Sequence, residues 1–310
     1  MTEFYKNYRN YEELIGHLLK IRSHNLKLSK LEPKTLENRD IFLCVIGKGK
    51  TKILITGGVH AREWMSPIIT MFLVENLLKS DLLSDYTFYI IPLVNPDGYN
   101  HSFEMKRLWR KNMNGVDINR NFPKGYGIHS SSNPEDQDYR GKEPFSENES
   151  KALRTLITSN KFYIHLDIHS YGQLIAGSWA YTNEKHKKSK EFERLGKKMV
   201  SAMNTSYVYG HGSMNGKLGL SGGTLQDYTT SQGIYGFTIE LPTKDSFNPH
   251  PSNIIPAGKD IMRAIKSICP KMKIKIKIIE KNDCYCYEIL ILILLLVLIF
   301  LNFKTTRNLF

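Results

Sequence analysis

Short apolar runs bounded by turn residues alternate along this chain with longer stretches of helical periodicity. Ile53 to Thr56 is apolar and rich in β-branched residues, and it stops at Gly57-Gly58. Phe88 to Val94 is similar and stops at Asn95-Pro96-Asp97-Gly98, a strong turn signal. Phe162 to Ile168 and Phe237 to Leu241 are two further runs of this kind. Each predicts a buried strand. Between them, Ser66-Pro67 reads as an N-cap and first-turn pair for a helix with an apolar face from Ile68 to Leu78. Ser146-Glu147-Asn148-Glu149 reads as a capping box that opens a helix to about Thr158. Glu184 to Met203 and Pro256 to Ile268 complete the helical set. Strands and helices in alternation predict an α/β layered fold.

The pattern changes after residue 268. We read 1–268 as one domain, 269–288 as a basic linker, 289–303 as a hydrophobic segment and 304–310 as a polar tail. Ile289 to Leu301 is unbroken and apolar. A spanning helix needs about 20 apolar residues, with a lower limit near about 17. Tyr285, Tyr287 and Phe303 bring the segment near that limit, and Glu288 interrupts it. A strip of this kind is not stable bare in water. It reads as a membrane anchor, direct or as a removable lipid-anchor signal; the other reading is a buried or interfacial segment. Residues 1–20 are polar and charged, so no secretory signal is visible there.

With 310 residues and 41% hydrophobic content, the chain can bury a large core. Its net charge is +13. The basic residues are scattered, except for Lys185, Lys187, Lys188 and Lys190, and for Lys271, Lys273, Lys275 and Lys277. No nucleic-acid recognition motif accompanies them, so the plainer reading is a solvated basic surface. Cys44, Cys269, Cys284 and Cys286 are too few for a disulfide framework, and their spacing is not that of a zinc knuckle. No exposed apolar helix face stands out before the tail, and we expect a monomer.

Three features suggest chemistry. His60-Ala61-Arg62-Glu63 follows the first strand, where a His and a carboxylate three apart can reach one metal. The plainer reading is a capping His beside a surface Glu. His169 ends the run Phe162 to Ile168, where open α/β sheets place ligands. It shares a strand face with His165 and Asp167; a hydrogen-bonded core histidine is the alternative. Glu240 sits inside an apolar strand, which is costly unless the carboxylate is paired or does work. It reads either as a general base or as half of a buried salt bridge.

Seven motifs decide among these readings. His60-Ala61-Arg62-Glu63-Trp64, Asn95-Pro96-Asp97-Gly98-Tyr99, Leu108-Trp109-Arg110-Lys111-Asn112, Gly115 to Phe122, Asp167-Ile168-His169-Ser170-Tyr171, Ser221-Gly222-Gly223-Thr224 and Phe237 to Leu241 occur in this order. Together they resemble the zinc metallocarboxypeptidases of the pancreatic carboxypeptidase A and B type, from about Phe4 to Ile268. The resemblance implies a three-layer α/β/α fold with a central mixed sheet. It implies a peptidase that takes peptides or proteins with a free C-terminus, with one Zn²⁺ per chain held by His60, Glu63 and His169. By the same resemblance Glu240 is the general base and Arg110 stabilises the oxyanion. Asn119 and Arg120 grip the terminal carboxylate. Arg62, Ser170 and Tyr171 contact the substrate further along, and Asp117 orients His60.

The chain departs from the pattern in four places. Leu218 stands where the family has a mobile tyrosine, which leaves open a catalytically weak protein that binds peptide C-termini. Leu241-Pro242-Thr243 replaces an acidic motif. The disulfide of the secreted enzymes has no counterpart. The resemblance begins, at Phe4 to Tyr8, where a mature catalytic domain would begin. One extra residue within Thr224-Leu225-Gln226-Asp227-Tyr228 leaves either Leu225 or Gln226 as the specificity position. Both are neutral, so apolar or neutral C-terminal residues are expected; Asp227 would revive a basic preference if the gap falls elsewhere.

Overall fold

The computed structural model describes residues 3–212, 214, 218–242 and 246–270. All of them belong to one unit, Met1–Lys271. Residues 271–288 of the basic linker, with Cys284 and Cys286, the hydrophobic segment 289–303 and the polar tail lie outside the described residues. Among the described residues no helix is long and apolar enough to cross a membrane.

Eight strands form one mixed sheet. They are β1 (Leu26–Leu31), β2 (Ile41–Ile46), β3 (Thr51–Gly57), β4 (Tyr86–Ile91), β5 (Phe162–His169), β6 (Leu174–Gly177), β7 (Val208–His211) and β8 (Tyr235–Glu240). Their spatial order is β1-β2-β4-β3-β5-β8-β6-β7. The centre, β4-β3-β5-β8, is parallel. The flanks add antiparallel pairs at β1/β2, β2/β4 and β6/β8. The helices are α1 (Tyr11–Leu18), α2 (Met65–Leu77), α3 (Pro96–Glu104), α4 (Asn148–Thr158), α5 (Ser189–Ala202), α6 (Leu225–Ser231) and α7 (Ile254–Ile268).

Strand alternation sends side chains to two cores. Ile53, Ile55, Leu166, Ile168, Phe237 and Ile239 pack on one face with Phe72 of α2, Met199 of α5 and Ile261 of α7. Leu54, Ile91 and Phe162 pack on the other with Leu153 of α4 and Leu225 and Tyr228 of α6. The expected three-layer α/β/α arrangement is therefore present. A register shift between Lys52 and Ile53 lets Phe162 and Ile164 face opposite cores. Beyond it, His165, Asp167 and His169 share the second face, as the sequence pattern predicts.

Local boundaries differ from the sequence reading in instructive ways. Ser66 is not an N-cap, because α2 already starts at Met65. Its hydroxyl instead accepts the Gly58 N–H and donates to the Ile168 carbonyl, so it ties two strand ends to the helix. The capping box at residues 146–149 does not form: Glu147 is the N-cap and makes no side-chain cap bond. The Ser146 hydroxyl donates to Glu147 and accepts from Asn121 Nδ2. The helix expected from Glu184 begins only at Ser189.

The turn signal Asn95 to Gly98 opens α3, with Pro96 in the first turn. Asn95 is fully buried, and its Oδ1 accepts the Gly98 N–H at 3.0 Å. Its Nδ2 donates to the Val59 and Lys111 carbonyls at 3.2 Å. Asn95→Ala removes a cap and strands three buried backbone groups, so it should cost about 2–3 kcal/mol. Urea denaturation checks this; an unchanged midpoint would mean that those groups find other partners.

Candidate metal site and substrate cavity

The parallel pairing of β3, β5 and β8 delivers three side chains to one end of the sheet. His169 ends β5 and stands in register with Glu240, the last residue of β8. β3 lies on the other side of β5, and its chain continues through Gly57-Gly58 to His60. Glu63 follows in the turn that enters α2. Gly58 adopts φ +64°, and a Cβ there would come within 2.5 Å of Leu93. The glycine pair is thus what lets the chain turn so tightly after the strand.

His60, Glu63 and His169 are all buried and offer one ligand atom each within 4.8 Å of one another. Glu63 places one carboxylate oxygen 2.7 Å from His60 Nδ1 and the other 3.0 Å from His169 Nδ1. The second oxygen also accepts the Ser170 N–H at 3.1 Å. The outward ring nitrogens face carboxylates: His60 Nε2 lies 3.2 Å from Asp117, and His169 Nε2 lies 2.9 Å from Asp167. A carboxylate can only accept, so with a metal bound and both rings neutral each would keep its proton on Nε2 and turn the Nδ1 lone pair inward. The two Nδ1 atoms face each other at 3.1 Å and both face Glu63, an arrangement that a shared cation or proton must hold together. Tetrahedral zinc with bonds of about 2.0–2.1 Å sets its ligand atoms about 3.3 Å apart, close to this geometry. The donor set therefore fits zinc, and the buried carboxylate behind each imidazole is the support that metal-binding histidines use.

Charge explains how so many ionisable groups stay buried together. Burial would raise Glu63, but His60 and His169 override it and hold its carboxyl well below the usual range. Burial would also raise Asp117; Arg110, His60 and Arg120 win and hold it well below. Arg110 donates to Asp117 through Nε at 2.8 Å. For His169, burial lowers the proton affinity, and Asp167 and Glu63 more than restore it, so it lies well above its usual value. Ligation needs a neutral imidazole, and a bound dication would displace that proton. Behind the ligands, Thr56 links Asp167 to His165, which burial pushes down to about 4. His165 is a neutral core residue that bonds Thr229 of α6.

These groups open onto a cavity of about 500 Å³. Its lining includes His60, Glu63, His169, Arg110, Asn119, Arg120, Ser170, Tyr171, Gln226 and Glu240. Burial and the neighbouring Glu63 push Glu240 up to about 8, against the pull of His169 and Arg110. Arg120 donates to the Asn119 carbonyl at 2.8 Å and to Ser221 Oγ at 2.9 Å. That placement depends on Gly223 at φ +69°, where a Cβ would sit 2.2 Å from the Arg120 carbonyl. Arg62 stacks its guanidinium 4.2 Å from the Phe247 ring and donates to Gln137.

Residues 12–264 match the family described as zinc carboxypeptidase. Carboxypeptidase B of Astacus astacus is 30% identical over 295 residues, covering 86% of this chain and 97% of the relative. Carboxypeptidase B of Bos taurus is 32% identical, over 85% of this chain and 70% of the relative. The solved bovine thrombin-activatable fibrinolysis inhibitor, in complex with tick carboxypeptidase inhibitor, superposes with a TM-score of 0.78 at 27% identity. That superposition covers 86% of this chain and 97% of the solved one. This chain belongs to the zinc carboxypeptidase family. It is therefore a metallocarboxypeptidase by descent, a peptidase of the hydrolase class, and the family implies zinc.

The structure divides the two specificity candidates of this zinc carboxypeptidase. Gln226 lines the cavity and donates to Ser178 Oγ at 3.2 Å. Leu225 does not: it opens α6 fully buried in the second core, and its N–H is held by Asn119 Oδ1. Asp227 also turns away. Its carboxylate accepts the Ala180 and Tyr181 N–H groups, and burial pushes it up to about 6. Leu218 lines the cavity and packs near Leu174, Ala176 and Met214. His129, Asp138, Thr238 and Phe247 also line it and were missed by sequence reasoning. Thr238 carried a signal, since it shares strand parity with Glu240; the other three sit in irregular segments. Cys44 and Cys269 are free and buried, with thiols pushed up to about 12.

Asp117→Asn keeps the shape but removes the charge that orients His60. It should weaken zinc binding about 10–100-fold. Competition against a chelator of known affinity reads this directly, and unaltered affinity would assign the orientation of His60 to other groups.

Proposed function

We propose that the chain removes the last residue of peptides that have a free C-terminus, through zinc-promoted attack of water, and prefers neutral side chains at that residue. One observation carries the reading. The half-buried Glu240 stands beside His169 across two parallel strands, in the same cavity as the His60-Glu63-His169 cluster and two arginines.

In this reading His60, Glu63 and His169 hold the zinc. Zinc, when bound, supplies a Lewis acid for the scissile carbonyl and lowers the pKa of water. Glu240 takes the proton of the attacking water and passes it to the leaving amine. Its raised proton affinity suits that exchange, since a base works best when its pKa lies near the working pH. A neighbouring dication would draw it downward from about 8, into that range. Arg110 is anchored by Asp117 and offers its remaining N–H groups to the negative charge that develops on the carbonyl oxygen.

Arg120 and Asn119 receive the terminal carboxylate. Arg120 has no close ion pair: Asp117 is 4.0 Å away and already engaged by Arg110 at 2.8 Å, and Asp138 acts on it only at a distance. Its buried Nε has no hydrogen-bond partner. A substrate carboxylate supplies both what the fork lacks and the requirement for a free C-terminus. Arg62, Ser170 and Tyr171 contact residues further along the peptide. Gln226 and Thr238 give the pocket an uncharged polar wall, and Asp227 is committed to backbone amides behind it. Against Gln226 and Thr238 a lysine or arginine side chain would meet no counter-ion, since Asp138, which also lines the cavity, lies within electrostatic reach of Arg120; that burial is costly. Leu218 offers an apolar contact where the family tyrosine would close. The reading as a protein that only binds peptide ends is not favoured, because the ligand set, Glu240 and Arg110 are all in place.

Glu240→Gln should keep zinc, measured by metal analysis, and lose about 10²–10⁴-fold in kcat; near-normal turnover would remove Glu240 from the mechanism. In a panel of short peptides, residues such as Phe, Leu or Gln at the C-terminus should be released in preference to Lys, Arg and Glu. Amidated peptides should not be cleaved, and chelation should stop release. Preferential release of Lys or Arg would overturn the neutral-pocket assignment, and cleavage of amidated ends would overturn the role of Arg120.

A further inference from the structure

A second cavity of about 340 Å³ lies behind the wall that carries Ser178. Trp179, on this wall, lines the second cavity; Gly177 and Ala180, its neighbours, line the first. The volume falls in the range of about 300–1,000 Å³ that suits small ligands.

Its chemistry is one-sided. Lys124, Lys187 and Lys188 line it, and no aspartate or glutamate does. Trp179, His186, Phe192 and Tyr235 supply an aromatic wall, and Thr230, Ser231, Gly233 and Ile234 complete the lining. Lys124 Nζ lies 4.5 Å from the Trp179 ring centre, and Lys188 Nζ lies 5.2 Å from that of Tyr235. His186 stands edge-on to Trp179 at 4.9 Å. Asp227, which does not line the cavity but lies within electrostatic reach of Lys124, spends both oxygens on backbone N–H groups.

Two further observations point to concentrated positive charge there. Burial lowers the proton affinity of His186, and Lys187, Lys188 and Lys124 lower it further. The lysines also crowd the wrong end of a helix. Lys188 is the N-cap of the fourteen-residue α5, and no side chain caps its first turn. A helix N-terminus carries partial positive charge and favours anions, so cations there destabilise it. Glu191 in the first turn pairs with Arg194 and leaves the lysines without relief. Lysines held together against helix polarity, around a concave aromatic wall, are what an anion would stabilise.

We propose that this cavity binds a phosphate or sulfate monoester, with its anionic head among Lys124, Lys187 and Lys188 and its organic part against Trp179. The site is separate from the zinc centre and does not rest on the proposed peptidase mechanism.

The test uses the full-length, zinc-loaded protein, with phenyl phosphate, phenyl sulfate and inorganic phosphate as probes in titration calorimetry. Saturable one-to-one binding of either ester supports the site and ranks phosphate against sulfate. Inorganic phosphate should bind more weakly than phenyl phosphate, and equal affinity would reject the aromatic contact. Lys187→Gln/Lys188→Gln, two exposed changes, should not lower the melting temperature and should leave peptide release unaltered. It should weaken ester binding at least about tenfold, and because it removes cations from a helix N-terminus any change in melting temperature should be upward. Ester-dependent change in tryptophan fluorescence should vanish in Trp179→Phe. Binding of neither ester, or equal affinity in parent and double variant, would overturn the proposal.

Discussion

Asp117 is a single carboxylate with no solvent exposure, and four groups converge on it. It orients His60 at 3.2 Å, anchors Arg110 at 2.8 Å, accepts the Asn119 N–H at 2.9 Å and faces Arg120 at 4.0 Å. An isolated buried carboxylate would be protonated or expelled. Here the cations hold it ionised, and it holds them in place. His60, Arg110 and Arg120, the proposed metal ligand, oxyanion donor and carboxylate anchor, are thus gathered around one anion. Removing it would leave two guanidinium groups buried without a counter-charge, which is the expensive way to break such a network.

A buried charge network of this kind needs a rigid frame, and the parallel sheet supplies it. His169 and Glu240 are register partners, so their relation is set by the same backbone hydrogen bonds that hold β5 to β8. Thr56 ties β3 to Asp167 on β5, and Ser66 ties the β5 end to α2. His169 and Glu240 therefore ride on strand ends, and His60 and Glu63 follow in the turn after a strand. Arg110 and Asp117 come from the irregular segment after α3, and Arg120 from the short turn that follows it. This division is what site preorganisation asks of a fold.

That division also decides what could be read in advance. The central strands, the metal cluster and Glu240 were legible, because each sits where an apolar run stops and a polar residue must be explained. Motif order then supplied the partners that spacing alone left open. Ser66 was misread because Ser-Pro before an apolar run looks the same whether the hydroxyl caps its own helix or bonds a strand beside it. The box at residues 146–149 failed because Ser146 and Glu147 bond each other and Asn121 rather than the helix end. The lysines at 185–190 were taken as a helix surface; they gather before and across the start of α5, a boundary that periodicity does not fix.

The choice between Leu225 and Gln226 shows the same limit most sharply. Both follow the Ser-Gly-Gly motif, and the extra residue makes their numbering interchangeable in one dimension. Three-dimensional constraints separate them. Thr224 caps α6 by accepting the Asp227 N–H, which fixes the phase of the helix. Successive helical side chains then point about 100° apart. Leu225 goes to the core, Gln226 to the cavity and Asp227 to the amides of Ala180 and Tyr181. Those two N–H groups would otherwise be left unpaired against a buried wall, so the acid is retained for structure rather than selectivity. A one-residue change in the cap would rotate Asp227 toward the substrate and reverse the electrostatics of the pocket. The neutral character assigned to the pocket is thus a consequence of where one helix begins.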